Sequence, residues 1–482
     1  MAGWTQSLWK DSMVYGIGYG LTRFLQVIIL PIIAKALSLS EFGYYSNYVI
    51  FYSLLGGFLI FGLDSAVARY FYESDDKKYH QKLFSSAFLF IIILCIFCLS
   101  VLFLFPVQIL RLMAIPQAYA SSLKYALFTI PAVTFNNFFL SWFKWKRQKI
   151  YFLVCSGMAI VLLMIPLLLV GHVNFLYIFQ VLLFSQLATL FISIILASGY
   201  IRPVFSLKLT RTLLIYGFPW LLVFIFGSSR NYLDRFFLTS YLDDDNYGLY
   251  NFSVRISTLL SVLITAFDMS FGPLAFSIWN KEGAAVFFAR LQSIYVLLIS
   301  AAACAISIIA PLVIEILGGT KYLGAEKVLP LLLFAAIPLS LINFSNLGTV
   351  YAKKSVLSTF TLFIGLIAVL IFNILLTKRY LQFGATTASL IGHLVIIASG
   401  YALSRKYYPI PFKYLKDSLL FFFFFTLSLL FVNFRLNATI YLNIALQLSI
   451  LVIVMLIILV YLFPDEFRKA RLRLTSLGRR QS

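Results

Sequence analysis

The feature that most constrains this chain is a series of apolar stretches, each about 20 residues long, repeated from one end to the other. Hydrocarbon offers no water to backbone N–H and C=O groups, so each stretch must satisfy its own hydrogen bonds and must therefore be a helix. The pattern predicts helices over 12–36, 44–66, 83–105, 119–142, 150–172, 174–197, 210–237, 247–278, 290–317, 328–350, 356–376, 383–403, 415–433 and 439–463. The expected fold class is all-α, a polytopic membrane protein with 14 transmembrane helices. No polar stretch between the helices is long enough to fold alone. Composition agrees, because 62% of the residues are hydrophobic and 11% charged, against roughly a quarter charged in soluble domains.

A net charge of +21 would fit a nucleic-acid partner only if the basic residues gathered on one soluble face. They are instead spread over short loops, so no nucleic-acid partner is expected. Of the 38 Lys and Arg, 26 fall at one side, in and beside the segments holding Lys10, Lys77, Lys146, Arg202, Lys281, Lys353, Lys406 and the tail from Arg468. Cytoplasmic loops retain such cations, which places both termini in the cytoplasm. Each contributes about 1 kcal/mol near anionic headgroups, so membrane lipids are the partner these loops imply. The N-terminal residues run into an apolar segment without a small-residue cleavage site, and no signal peptide is expected. Cys95, Cys98, Cys155 and Cys304 lie in apolar segments, where packing is the expected role. No nucleotide loop, dinucleotide motif or zinc-binding helix is present, so neither a cofactor nor a metal is expected and the chain does not read as an enzyme.

An internal repeat appears when the first six helices are laid on the next six. Glu41-Phe42-Gly43-Tyr44-Tyr45 matches Asn246-Tyr247-Gly248-Leu249-Tyr250 at a shift of 205, and Asp64-Ser65 matches Asp268-Met269 at 204. Each half has an even number of helices, so the repeats run parallel, and a cavity between two lobes follows. The expected units are an N-lobe over 1–205, a C-lobe over 206–406, and helices 13 and 14 with a basic cytoplasmic tail over 407–482.

A charge in hydrocarbon costs at least about 2.5 kcal/mol, so those that persist usually face a cavity or a partner. Arg23 sits near the middle of helix 1 with no acidic residue three or four positions away; Lys124, Arg230 and Arg255 lie in the outer halves of their helices. Arg suits an anionic ligand, because its planar fork holds two phosphate oxygens at once. Asp64, Asp234 and Asp268 are acidic counterparts nearer helix ends. Arg230, Asp234 and Arg235 satisfy one another on successive turns, Arg230 and Asp234 being four apart on one helix face, or Asp234 gates a cavity; Asp64 and Asp268 cap their helices, pair with basic loops, or take part in coupling. Pro31, Pro131, Pro219 and Pro338 point to discontinuous helices.

In helix 1, Arg23, Gln26, Pro31 and Ala34 lead into Leu39-Ser40-Glu41-Phe42-Gly43-Tyr44. This opening resembles that of oligosaccharide-lipid flippases, the Wzx type, in the multidrug/oligosaccharidyl-lipid/polysaccharide exporter superfamily. Tyr216-Gly217-Phe218-Pro219, Asp234-Arg235-Phe236-Phe237-Leu238 and Tyr247-Gly248-Leu249-Tyr250 resemble the family's second lobe. The resemblance implies a flippase in the bacterial inner membrane that moves undecaprenyl-pyrophosphate-linked oligosaccharide by alternating access, in O-antigen, lipopolysaccharide or related polysaccharide biosynthesis. Arg23, Lys124, Arg230 and Arg255 would then hold phosphates or acidic sugars, with Asp64, Asp234 and Asp268 in coupling or gating. Other polysaccharide-assembly proteins are further implied partners.

A multidrug or cation antiporter of the same superfamily is the nearest rival and would be expected to place carboxylates at mid-membrane, where this chain has Arg23. A membrane-embedded glycosyltransferase or polymerase would need a sizeable outer loop for its chemistry, and none is visible.

Overall fold

The computed structural model describes residues 28–433, 439–462 and 464, with backbone alone for Arg230, Asn231 and Ser355. Among the described residues, twelve helices are long and apolar enough to cross a membrane. The chain is an all-helical, polytopic membrane protein. The first expected span, 12–36, falls largely outside the described residues; its end is helix α1, residues 28–36. The loop expected at 434–438 lies outside them too.

Helix α2 (Leu39–Ile60) begins on a capping box, in which Ser38 Oγ accepts from the Glu41 amide and Glu41 accepts from the Ser38 amide. The span then breaks at Phe61 and Gly62, both with positive φ, and resumes as α3 (Leu63–Phe71). The sequence pattern, which predicts one helix over 44–66, carried no sign of that break. There follow α4 (Lys77–Leu104), the short α5 (Pro106–Leu112), α6 (Leu123–Trp145), α7 (Lys149–Leu169) and α8 (Phe175–Ala197). The second half holds α9 (Leu207–Leu238), α10 (Asp244–Ile278) and α11 (Ala284–Gly318).

The tenth expected helix arrives in three pieces, α12 (Leu329–Ser340), α13 (Ile342–Ser345) and α14 (Leu347–Tyr351). Pro338 near the end of α12 removes an amide donor there, so this discontinuity is the one proline predicts. Pro131 and Pro219 behave otherwise, since α6 and α9 run through them unbroken.

Helix α15 (Ser355–Ser404) is 50 residues long and contains two of the expected spans, folded back on each other at Leu381, whose φ of 51° and ψ of −129° are non-helical. The two arms touch through glycines. A Cβ on Gly365 would lie 2.1 Å from Ile396, and one on Gly392 2.1 Å from Val369. Small residues let membrane helices approach at backbone distance, where dispersion and weak hydrogen bonds do the holding. Helices α16 (Tyr414–Asn433) and α17 (Ile440–Leu462) are the last two long helices among the described residues; both pack on α11.

The connections gather at two ends. At one, Tyr72 donates to the Trp145 carbonyl at 2.9 Å, Gln81 to that of Gly199 at 2.8 Å, and Tyr408 to that of Trp279 at 2.8 Å. This is the basic end, with Lys146, Arg202, Lys281, Lys353 and Lys406 in its loops. The opposite, far end holds the connections around 105–122, 239–243 and 319–328 and the Leu381 fold. Between these ends α2, α6, α7 and α8 pack together, as do α10, α11, α12 and α15, and the two groups meet along a seam where α2 packs on α10 and α3 and α4 pack on α9. All four cysteines are free, and Cys95, Cys155 and Cys304 are buried among packed side chains.

Candidate functional site along the seam

At the far end the seam is closed by polar bonds between residues about 200 positions apart. Tyr44 donates its phenol to the Asp244 carboxylate, and Tyr247 donates to Asn47 Oδ1. Asn47 in turn donates to the Met113 carbonyl at 2.7 Å, and Lys321 Nζ to the Leu37 carbonyl at 2.5 Å. Burial pulls the Lys321 ammonium below its ordinary range, with the nearby Glu41 opposing that. Beside these bonds Phe252 and Tyr322 stack at 4.2 Å, and Phe42 meets Phe252 edge to face at 5.5 Å.

The closure depends on missing side chains. A Cβ on Gly248 would fall 1.8 Å from the Leu39 carbonyl oxygen, and one on Gly43 3.4 Å from the Gly248 amide nitrogen. Gly43 and Gly248 are the matched glycines of the sequence repeat, so equivalent positions of the two halves meet each other.

Midway along the seam, Arg255 of α10 is partly buried and within electrostatic range of Tyr45 and Tyr52 of α2, with Tyr232 of α9 beside Tyr52. Toward the basic end the seam closes again, by shape rather than by polar bonds. A Cβ on Gly62 would lie 2.2 Å from the Gly217 carbonyl oxygen, Phe61 meets Phe218 at 6.4 Å, and Tyr70 meets Tyr216 at 5.9 Å. Two grooves flank these closures. One, toward the far end, lies between α2 and α9, holds about 270 Å³ and is lined by Asn47, Phe51, Met113, Tyr232, Arg235 and Tyr247 among others. The second, of about 460 Å³, lies by Tyr70, Tyr216, Trp220 and Val356.

Of the residues singled out by sequence, Arg255 stands on the seam. Arg23 lies outside the described residues, and Arg230 is described only as backbone, one turn before Asp234. Lys124 is exposed in the first turn of α6, over the ring of Tyr125, which accepts a bond from Gln180 of α8. Asp64 sits in the first turn of α3, mostly buried, within electrostatic range of Lys144. Asp234 is buried and occupied by the Tyr250 phenol and the Arg235 amide, the latter at 2.8 Å. Asp268 accepts from Asn343 of α13 at 2.7 Å.

Sequence reasoning missed two sets of residues. The far-end tyrosines Tyr44 and Tyr247 appear in the sequence only as repeat and motif residues with no partner assigned, since nothing local pairs positions so distant. The second is Asp417, buried in α16, which accepts from Ser293 Oγ at 2.5 Å and Gln292 Nε2 at 2.8 Å, while Tyr401 donates to Gln292 Oε1 at 2.8 Å. Asp417 stands in the first turn of the helix expected over 415–433, beside Lys413 and Lys416, where a carboxylate does not register as a charge in hydrocarbon.

Two groups of helices that meet along a seam form a fold shared with solved membrane transporters. The lipid II flippase MurJ in its inward closed conformation is similar to this chain at a TM-score of 0.70 and 13% identity, over 94% of this chain and 100% of that one. An inward-facing multidrug resistance MATE family transporter is similar at 0.61 and 17%, covering 83% and 95%. A superfamily transporter from Pyrococcus furiosus, described as having a binding pocket of reversed polarity, is similar at 0.58 and 16%, covering 85% and 96%. More particularly, the chain belongs to the polysaccharide biosynthesis protein family, whose model matches residues 8–279. An uncharacterized membrane protein of Methanocaldococcus jannaschii is 25% identical over 201 residues, which span 40% of this chain and 39% of that relative.

Proposed function

We propose that this protein is a flippase for undecaprenyl-pyrophosphate-linked oligosaccharide, moving it from the cytoplasmic to the outer leaflet by alternating access between two lobes. The lobes are residues 1–205 and 206–406, with 407–482 as an added helical pair and cytoplasmic tail. The basic end is cytoplasmic, on the charge bias of its loops. The observation that carries the reading is Arg255, a partly buried cation on the seam within electrostatic range of Tyr45 and Tyr52 of the other half. A partly buried Arg between aromatic side chains holds a phosphate bidentately while the rings contact sugar or isoprenoid. Membership of a polysaccharide biosynthesis family and likeness to a lipid II flippase support the substrate class.

In this reading the far-end bonds close the outer side while the lipid enters from the cytoplasmic leaflet, and their release exposes the cavity outward. Arg23, Lys124 and Arg230 are the further proposed substrate cations, and Asp64, Asp234 and Asp268 the coupling or gating carboxylates. Purified protein in liposomes tests it by the accessibility of a labelled lipid-linked oligosaccharide to an added glycosidase. Arg255→Ala is expected to slow transfer at least about tenfold, the scale of one lost charge-assisted bond, and Arg255→Lys to retain part of it. Transfer at parental rate by Arg255→Ala would overturn the cationic cavity. Efflux of a cationic dye in place of lipid transfer would make the protein an antiporter.

A further inference from the structure

The groove between α2 and α9 at the far end holds a cation for which the described residues supply no hydrogen-bond acceptor. Arg235, in the last turn of α9, lines the groove, and its Nε is buried without a hydrogen-bond partner. The guanidinium lies over the ring of Tyr232, with Cζ 5.3 Å from the centroid. The neighbouring Asp234 is within electrostatic range of the guanidinium but gives it no hydrogen bond: its carboxylate accepts from the Tyr250 phenol and the Arg235 backbone amide, and no ion pair joins the two side chains among the described residues. A buried donor left without an acceptor is costly, and for a charged group the cost is larger. Next to Arg235 the groove wall is apolar, built on Phe51 and Phe236. One charged fork beside an apolar trough is complementary to a lipid with a phosphate head: the fork takes the oxygens and the trough the chain.

We propose that this groove is a binding site for the phosphate head of a lipid, with Arg235 as its ligand, separate from the Arg255 position at mid-seam. Asn47 and Tyr247 line the same groove and are bonded to each other in the far-end closure. A lipid seated there touches the closure itself, which makes the groove a place where an arriving or departing head is felt by the gate. The proposal rests on the flippase reading only in taking isoprenyl phosphate as a lipid this protein meets; the chemistry of the site is that of any lipid phosphate.

The test uses full-length protein in phosphatidylcholine nanodiscs with a diazirine-bearing farnesyl phosphate as probe and the matching farnesol as control. Adducts are expected on the peptides holding Phe51 and Phe236, with at least tenfold less labelling in Arg235→Gln and most of it kept in Arg235→Lys. Phe51→Trp, which narrows the trough and leaves the cation alone, is expected to reduce labelling as well, and covers the case in which Arg235→Gln fails to fold. Equal labelling of parent and Arg235→Gln, or equally strong labelling by farnesol, would overturn the site. Displacement of the probe by phosphatidylglycerol would assign the site to bulk anionic lipid, and resistance to it would assign it to isoprenyl phosphates. Arg235-dependent labelling of a protein that transfers no oligosaccharide lipid would keep the groove and remove the flippase reading; transfer with Arg235-independent labelling would do the reverse.

Discussion

Tyr247 donates its phenol to Asn47 across the seam, joining α10 to α2 at the far end while both side chains also line the α2–α9 groove. Asn47 passes the constraint on through its bond to the Met113 carbonyl, so three separate stretches of chain meet at one amide. Tyr247→Phe removes the donor and leaves the ring. At about 1 kcal/mol for a hydrogen bond, the closed state should lose about fivefold in population. A cysteine placed at Ile50 is expected to react several times faster with a water-soluble maleimide in Tyr247→Phe than in the parent background. Unchanged reactivity would mean that the bond does not hold the gate.

The glycines of the seam should differ sharply in what they tolerate. Gly248→Ala sets a methyl 1.8 Å from a backbone oxygen that cannot turn aside, whereas the Gly57→Ala methyl meets the far atoms of the Phe224 ring, which can swing. Gly248→Ala should cost about 3 kcal/mol or force the far end open, and Gly57→Ala should stay within about 1 kcal/mol. Thermal midpoints of the two variants in the same detergent decide it, and equal midpoints would contradict the difference.

Asp243 caps α10, accepting from the Asn246 amide at 3.2 Å and from the Asn246 side chain at 2.6 Å. The side-chain bond from Asn246 is the main cause holding its carboxyl below the ordinary value of 3.8. A carboxyl depressed in the folded state stabilises fully above its unfolded value and loses that contribution as pH falls through the folded one. Asp243→Ala should therefore cost about 1 kcal/mol at neutral pH. The gap between parent and variant midpoints should be flat above pH 3.8 and close below it. A gap that widens in acid would show the sign to be wrong.

Asp417 joins α16 to α11. Asp417→Ala would strand the Ser293 hydroxyl and the Gln292 amide inside the bundle, at about 1–3 kcal/mol for the unsatisfied groups. Asp417→Asn keeps one acceptor oxygen and should fall between variant and parent in thermal midpoint. If Asp417→Ala matches the parent, the network is dispensable to the packing of α16.

What could be read from the sequence was whatever depends on length and polarity along the chain. Spans came through because a bilayer fixes their minimum length, and the Gly43–Gly248 correspondence because a repeat leaves its spacing behind. The seam bonds did not, since Tyr44 with Asp244 and Tyr247 with Asn47 become neighbours only after two halves dock. Local backbone breaks divided: the fold at Leu381 was legible, since it falls in the polar Lys378-Arg379-Tyr380-Leu381-Gln382 stretch between the helices expected over 356–376 and 383–403, whereas the break at Phe61 and Gly62 lies inside an unbroken apolar stretch and was hidden. Arg255 was found by its charge in hydrocarbon, and the same rule passed over Arg235 because it stands near a helix end, where a cation costs little. Asp417 escaped for the same reason, standing in the first turn of its expected helix beside Lys413 and Lys416.

The glycine contacts inside α15 have a mechanical consequence. Two arms touching at Gly365 and Gly392 leave no side-chain layer to slide over, so the pair behaves as one strut instead of two independent rods. Helix α9 lies against that strut and reaches the seam at both Gly217 and Arg235. A tilt of α9 therefore carries the hairpin with it, and the inertia of any opening motion is set by three spans moving together.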